Sequence, residues 1–193
     1  MNLSSVTTAV LGSAGYGALC AAATGSVAHK TECDRPVYLW EPTNTGETAH
    51  QLPVTYTTDI YEALESADIV VVPWGEQADS CPEEMTGVMA FRRWAYLLPQ
   101  TAIVLAAAGS AEDTMNVSEY LRQILHTEFP TRRERVAVLT ITAHHLADTD
   151  VMEPVKTHPR RPRTATLTTD DAHMHQLITA LFDGPVLRIH RAP

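Results

Sequence analysis

Apolar positions along this chain fall in short unbroken runs rather than in alternation. Residues 6–11 (VTTAVL), Val37–Trp40, residues 69–72 (IVVV), 101–107 (TAIVLAA) and 136–139 (VAVL) are apolar or β-branched nearly throughout. A strand with one wet face would alternate; runs of this kind predict strands covered on both faces. Shorter strands are expected at 54–57, 165–168 and 186–189. Between the runs the spacing turns helical. An alanine-rich helix is expected over 18–23, and a short one over Ile60–Leu64 with Asp59 as its N-cap. A third spans about 83–98, carrying Met85, Met89, Phe91, Trp94 and Leu97. A fourth covers 115–125, and a fifth runs from an Asp170 cap through Phe182. Polar stretches at 24–36, 140–150 and 153–162 read as connections, and 43–53 as loop or weak helix.

The first run opens into a glycine turn. Leu11 is followed by Gly12, Ser13, Ala14, Gly15, Tyr16 and Gly17, and then by the alanine-rich segment. Strand, glycine turn and helix in this order form the start of a dinucleotide-binding βαβ unit. The first glycine allows the tight turn. The third lets the helix sit close to the sheet, so that the N–H groups of its first turn face an anion. Counted from Gly12, the second fingerprint glycine falls on Ala14, giving G-x-A-x-x-G. The methyl group of Ala14 then points into the pyrophosphate approach. Together with the strand–helix alternation, the turn predicts a Rossmann-type α/β fold: a doubly wound, mostly parallel sheet with helices on both faces. An acid just past the second strand, Glu41, stands where this architecture receives the adenosine ribose. There it would favour NAD over NADP.

Length and charge narrow the picture. The 193 residues fit a single domain, 1–193. The formal net charge of −9 excludes generic binding to nucleic acid or to acidic membranes. Cys20, Cys33 and Cys81 form no CxxC pair, so a reduced, cytoplasmic setting is expected. Neither a signal peptide nor a membrane span is legible. His144-His145 and His173-x-His175 lack the Cys or carboxylate companions of a metal site, and no metal is expected. The run Pro159-Arg160-Arg161-Pro162-Arg163 reads as a solvated basic loop.

With these residues in place, the chain resembles the NAD-binding N-terminal domain of NAD-dependent glycerol-3-phosphate dehydrogenases. Val10-Leu11-Gly12, Tyr16-Gly17 and Ala21 match that family's V-L-G-x-G-x-[WF]-G-x-x-x-A opening. Val37-Tyr38-Leu39-Trp40 resembles its second strand. Thr57-Thr58-Asp59 and the run from Ala63 to Pro73 resemble its T-x-D…A-L-x-x-A-D-x-V-x-x-x-V-P stretch. Leu181-Phe182 and the residues from Arg188 to Arg191 resemble the close of its first domain. The resemblance implies NAD as cofactor. Its contacts would fall on Gly12, Ser13, Ala14, Gly15, Tyr16, Gly17, Glu41, Pro73, Trp74 and Ala108.

Two departures bear on chemistry. Where the family's fifth strand ends in a lysine–glycine pair with the lysine in the active site, this chain has Ala108-Gly109. The G-P-S-type turn after the sixth strand reads Ile141-Thr142-Ala143. The family's second, helical domain would begin about where this chain stops. Hydride transfer to a ketone builds negative charge on oxygen, and a cation or acid must meet it. The only lysines, Lys30 and Lys156, fall in expected loops, and no catalytic residue is assigned. The expectation is therefore an NAD(H)-binding domain that is catalytically impaired alone. Two alternatives stay open: a dehydrogenase completed by a second copy or by a subunit supplying a second domain, and an interaction module that kept the fold.

Overall fold

A computed structural model describes residues 5–12, 16–30, 36–42, 54–74, 87–130, 135–142 and 163–191. Among these residues eight strands form one sheet in the order β3-β2-β1-β4-β5-β6-β7-β8. These are β1 (Thr8–Leu11), β2 (Val37–Trp40), β3 (Thr55–Thr57), β4 (Ile69–Pro73), β5 (Ile103–Ala108), β6 (Val136–Thr142), β7 (Arg163–Thr168) and β8 (Leu187–Arg191). All neighbours run parallel except β6 and β7, which are antiparallel. The mostly parallel, doubly wound sheet expected from the apolar runs is thus the observed one.

Among the described residues five helices cover the two faces: α1 (Gly17–Lys30), α2 (Ile60–Leu64), α3 (Gly87–Trp94), α4 (Ala111–Glu128) and α5 (Ala172–Phe182). A 3₁₀ turn, Ala95–Leu97, extends α3. Alternate residues of the central strands serve different cores. Val10, Leu39, Val71, Leu105 and Leu139 pack with α1 and α5. Ala9, Leu11, Val70, Val72 and Val104 pack with α2, α3 and α4. Burying each large aliphatic side chain contributes about 1.5–3 kcal/mol, so both faces of these strands favour the interior. This is why the sequence shows runs and no alternation.

Several boundaries differ from expectation, some for a tertiary reason and one through a local cap. The stretch 24–30 continues α1, where a loop was expected, and Lys30 ends that helix. Every residue from Leu19 to Ala28 is buried, and Thr24 satisfies its hydroxyl by donating to the Cys20 carbonyl at 2.5 Å. Local polarity here lost to the pocket between the sheet and α5. Cys20 lies within this helix as a buried free thiol whose pKa burial pushes up to about 12. Cys33 and Cys81 lie outside the described residues. β6 runs to Thr142 and not to residue 139, because Thr140, Ile141 and Thr142 find partners in Thr166, Ala165 and Thr164 on antiparallel β7. Arg163, read as loop, opens that partner strand. α4 starts at Ala111, ahead of the expected 115, because Ser110 caps it by accepting from Asp113 N–H at 3.0 Å. The expected loop or helix at 43–53, the residues 83–86 and the basic run 159–162 lie outside the described residues.

The cap of α2 is Asp59, as expected. That of α5 is Asp171, not Asp170; its carboxylate accepts from His173 N–H at 2.7 Å and Met174 N–H at 3.1 Å. The Met174 and His173 backbone donors hold this carboxyl below its usual range. A carboxyl that ionises more readily folded than unfolded stabilises above its unfolded pKa, and that contribution is lost as pH falls through the folded value. Asp171→Ala is therefore expected to lower the melting temperature at neutral pH. The gap to the unmodified protein should close on acidification below about pH 4, as paired calorimetric scans would show.

Candidate dinucleotide site

The candidate residues gather at the carboxyl ends of β1, β2, β4 and β5. Ligands bind there in open α/β sheets, where consecutive connections leave for opposite faces. β1 is that point: α1 leads from it across one face to β2, and α2 lies on the other face before β4.

Gly12 has φ +97, a conformation that L side chains rarely adopt. Its N–H donates to the Trp40 carbonyl at 2.8 Å, which ties the turn to the end of β2. Gly17 opens α1 directly against this turn. A Cβ there would overlap the Gly12 carbonyl oxygen and stand 3.2 Å from Pro73 Cγ. Two glycines and a proline from three separate segments thus bring the first turn of α1 onto the strand ends. Gly87 repeats the device at the start of α3, where a Cβ would lie 2.5 Å from the Leu11 carbonyl oxygen and 3.0 Å from Pro73 Cδ. Gly87 carries no local sequence motif, and only the packing of α3 on the β1 and β4 ends shows why glycine is required. Ser13, Ala14 and Gly15 lie outside the described residues.

Glu41 follows β2 directly, and Trp40 is in register with Leu11, so the acid stands beside the glycine turn. The residue is only 8% exposed. The Tyr56 hydroxyl on β3 donates to Glu41 Oε2 at 2.7 Å, and Glu41 N–H donates to the Thr57 carbonyl at 3.2 Å. The acid is therefore oriented by the neighbouring strand, which a freely solvated strand-end acid would not be. Nothing in the local sequence pairs Tyr56 with Glu41; the parallel register of β2 and β3 does so.

On the other side, Pro73 ends β4 and Trp74 N–H donates to the Ala107 carbonyl at 2.7 Å. Ala108 is the last residue of β5, fully buried and in register with Thr140 of β6. A methyl group therefore occupies the strand end. The next residue, Gly109, is pressed by Tyr16: a Cβ at 109 would collide with the phenol, whose Cε2 would be 2.9 Å away. Tyr16 thus reaches from the β1–α1 turn to the β5–α4 turn, a long-range contact without a sequence signal. Of the histidines, His173 is exposed and His175 half-buried on α5, and His144-His145 lie outside the described residues. Among the described residues no three His, Cys, Asp or Glu come together as a metal-binding group. No helix of these residues is long and apolar enough to cross a membrane.

No protein-family model matches the sequence, and no curated protein matches it. Solved structures do resemble the fold. The glycerol-3-phosphate dehydrogenase of Saccharomyces cerevisiae superposes with a TM-score of 0.64 at 15% identity, over 97% of this chain and 56% of that one. The arogenate dehydrogenase of Synechocystis gives 0.64 at 14% identity, over 97% and 59%. The glycerol-3-phosphate dehydrogenase of Coxiella burnetii gives 0.60 at 16% identity, over 98% and 54%. The chain spans little more than half the length of these enzymes, and at such identities the likeness is one of fold. The class defined is the Rossmann-type α/β fold.

Proposed function

We propose that this chain is an NAD(H)-binding domain of the glycerol-3-phosphate dehydrogenase type, with alanine where that family has its strand-end lysine, and catalytically impaired by itself. The observation that carries the reading is the close approach of Gly17 to Gly12 beside an oriented, buried Glu41. A helix N-terminus pressed onto a left-handed glycine turn suits a pyrophosphate. A carboxylate at the adjacent strand end suits the two ribose hydroxyls and disfavours a 2′-phosphate. Gly12, Tyr16, Gly17 and Glu41 would hold the adenosine and pyrophosphate parts, with Pro73, Trp74 and Ala108 bordering the far part. When bound, a nicotinamide supplies hydride exchange at its ring. What this chain contributes to the oxygen of a substrate at the end of β5 is the Ala108 methyl group, which neither donates a proton nor balances charge. Removing such a donor typically costs about 3–4 kcal/mol of transition-state stabilisation.

Titration calorimetry on the purified protein tests the reading. Saturable heat with NAD or NADH, together with negligible NADH oxidation in the presence of dihydroxyacetone phosphate, is the expected result. The absence of both heat and thermal shift at millimolar dinucleotide would refute cofactor binding. Efficient turnover would refute the catalytic half.

A further inference from the structure

The two helical layers differ in their outer surfaces. Among the described residues the most exposed large hydrophobic side chains are Tyr61, Met89, Tyr96, Met115 and Tyr120, at 36–64% exposure. All of them belong to α2, to α3 with its 3₁₀ turn, or to α4, and none to α1 or α5. Singly scattered apolar groups are ordinary on a surface, but one-sided accumulation marks an interaction site.

The centre of this face is ordered. Tyr61 meets Trp94 edge-on at 5.7 Å between ring centroids, and Trp94 meets Tyr96 at 6.1 Å. The Tyr61 and Tyr96 hydroxyls are 3.4 Å apart. The Arg93 guanidinium lies 5.0 Å from the Trp94 ring centre. Beside it runs a groove of about 370 Å³ lined by Met89, Arg92, Arg93 and Glu128. Tryptophan, tyrosine, methionine and arginine are the types enriched at the cores of protein interfaces, from which lysine is depleted.

Charge selects the occupant. Glu65, the C-cap of α2, keeps helical dihedrals and follows Tyr61 by one turn, and Arg93 follows Met89 by one turn on α3, so each lies on its predecessor's side; both charged residues are exposed. The aromatic centre therefore carries an acid on its α2 side and a cation on its α3 side. We propose that this face pairs with the same face of a second copy, through a two-fold axis near Trp94 that sets Glu65 of each copy against Arg93 of the other. An isologous contact needs a self-complementary patch, and this one holds both halves of its ionic pairing. The pairing does not depend on whether a dinucleotide binds at the carboxyl ends of the strands.

Sedimentation velocity on the full chain tests it. The unmodified protein is expected at twice the chain mass. Arg93→Glu and Glu65→Arg, each with an unchanged melting curve, should each weaken dimerisation by about tenfold or more. An equimolar mixture of the two variants should restore a particle of twice the chain mass, since opposite charges face each other again in the heterodimer. If either variant fails to fold, the other still reports. A monomeric unmodified protein, a variant that folds and dimerises as before, or a mixture that stays monomeric would each overturn the proposal. So would occupation of the face only by an unrelated protein.

Discussion

Replacing Gly17 by alanine is expected to lower the free energy of unfolding by about 3 kcal/mol, at the upper end of the usual cost of overfilling a packed site. The sign is the informative part. At an ordinary helical position, glycine to alanine gains about 1 kcal/mol through backbone entropy and helix propensity. Here the added methyl would overlap the Gly12 carbonyl oxygen, approach its carbon to 2.9 Å and Pro73 Cγ to 3.2 Å. Gly12 has little freedom to retreat, because its N–H is bound to the Trp40 carbonyl. Gly12→Ala makes the contrast. A Cβ at Gly12 meets nothing within 4 Å, so its cost is only that of holding a positive φ, about 1–2 kcal/mol. Urea denaturation of the two variants separates close approach from backbone strain. Should Gly17→Ala leave the protein equally stable or stabilise it, the contact between turn and helix would not be the constraint described.

The second large effect is on ligand affinity. Under the proposed reading, Glu41→Ala is expected to weaken NAD binding by about tenfold to a hundredfold, the value of hydrogen bonds to a charged acceptor, about 1.5–3 kcal/mol. NADP should lose much less, since the carboxylate that opposes its 2′-phosphate is removed along with the acceptor. Tyr56→Phe keeps the carboxylate and removes the hydroxyl that orients it; its effect on NAD should be in the same direction and smaller. Parallel calorimetric titrations with NAD and NADP measure the ratio. An unchanged ratio in Glu41→Ala, with NAD still bound, would make the acid a structural partner of Tyr56 only.

Much of the fold was legible because its signals are local. The strands β2, β4 and β5 stand close to their expected places, since residues covered on both faces leave an unbroken apolar run. Gly12 and Gly17 were legible because a tight strand-to-helix turn has a fixed glycine spacing. Asp59 was legible because an N-cap acts on N–H groups two or three residues away. Two of the failures share a cause. The polar residues of 24–30 are helical because of what packs around them, and 140–142 form strand because β7 arrives antiparallel from more than twenty residues on. Asp170 and Asp171 are equivalent as letters; the backbone geometry at 171 selected the cap.

By itself, then, the sequence determined the alternation of buried strands and helices, the glycine turn, the acid after β2 and the alanine at position 108. Only the tertiary structure decided that Tyr56 orients Glu41, that Tyr16 reaches Gly109, that Gly87 must lack a side chain and that the exposed aromatics share one face. The physical reason is range. Periodicity, turn chemistry and capping are carried by neighbours in the chain and can be read in order. Register, burial and surface patches join residues that only the folded sheet brings within contact distance.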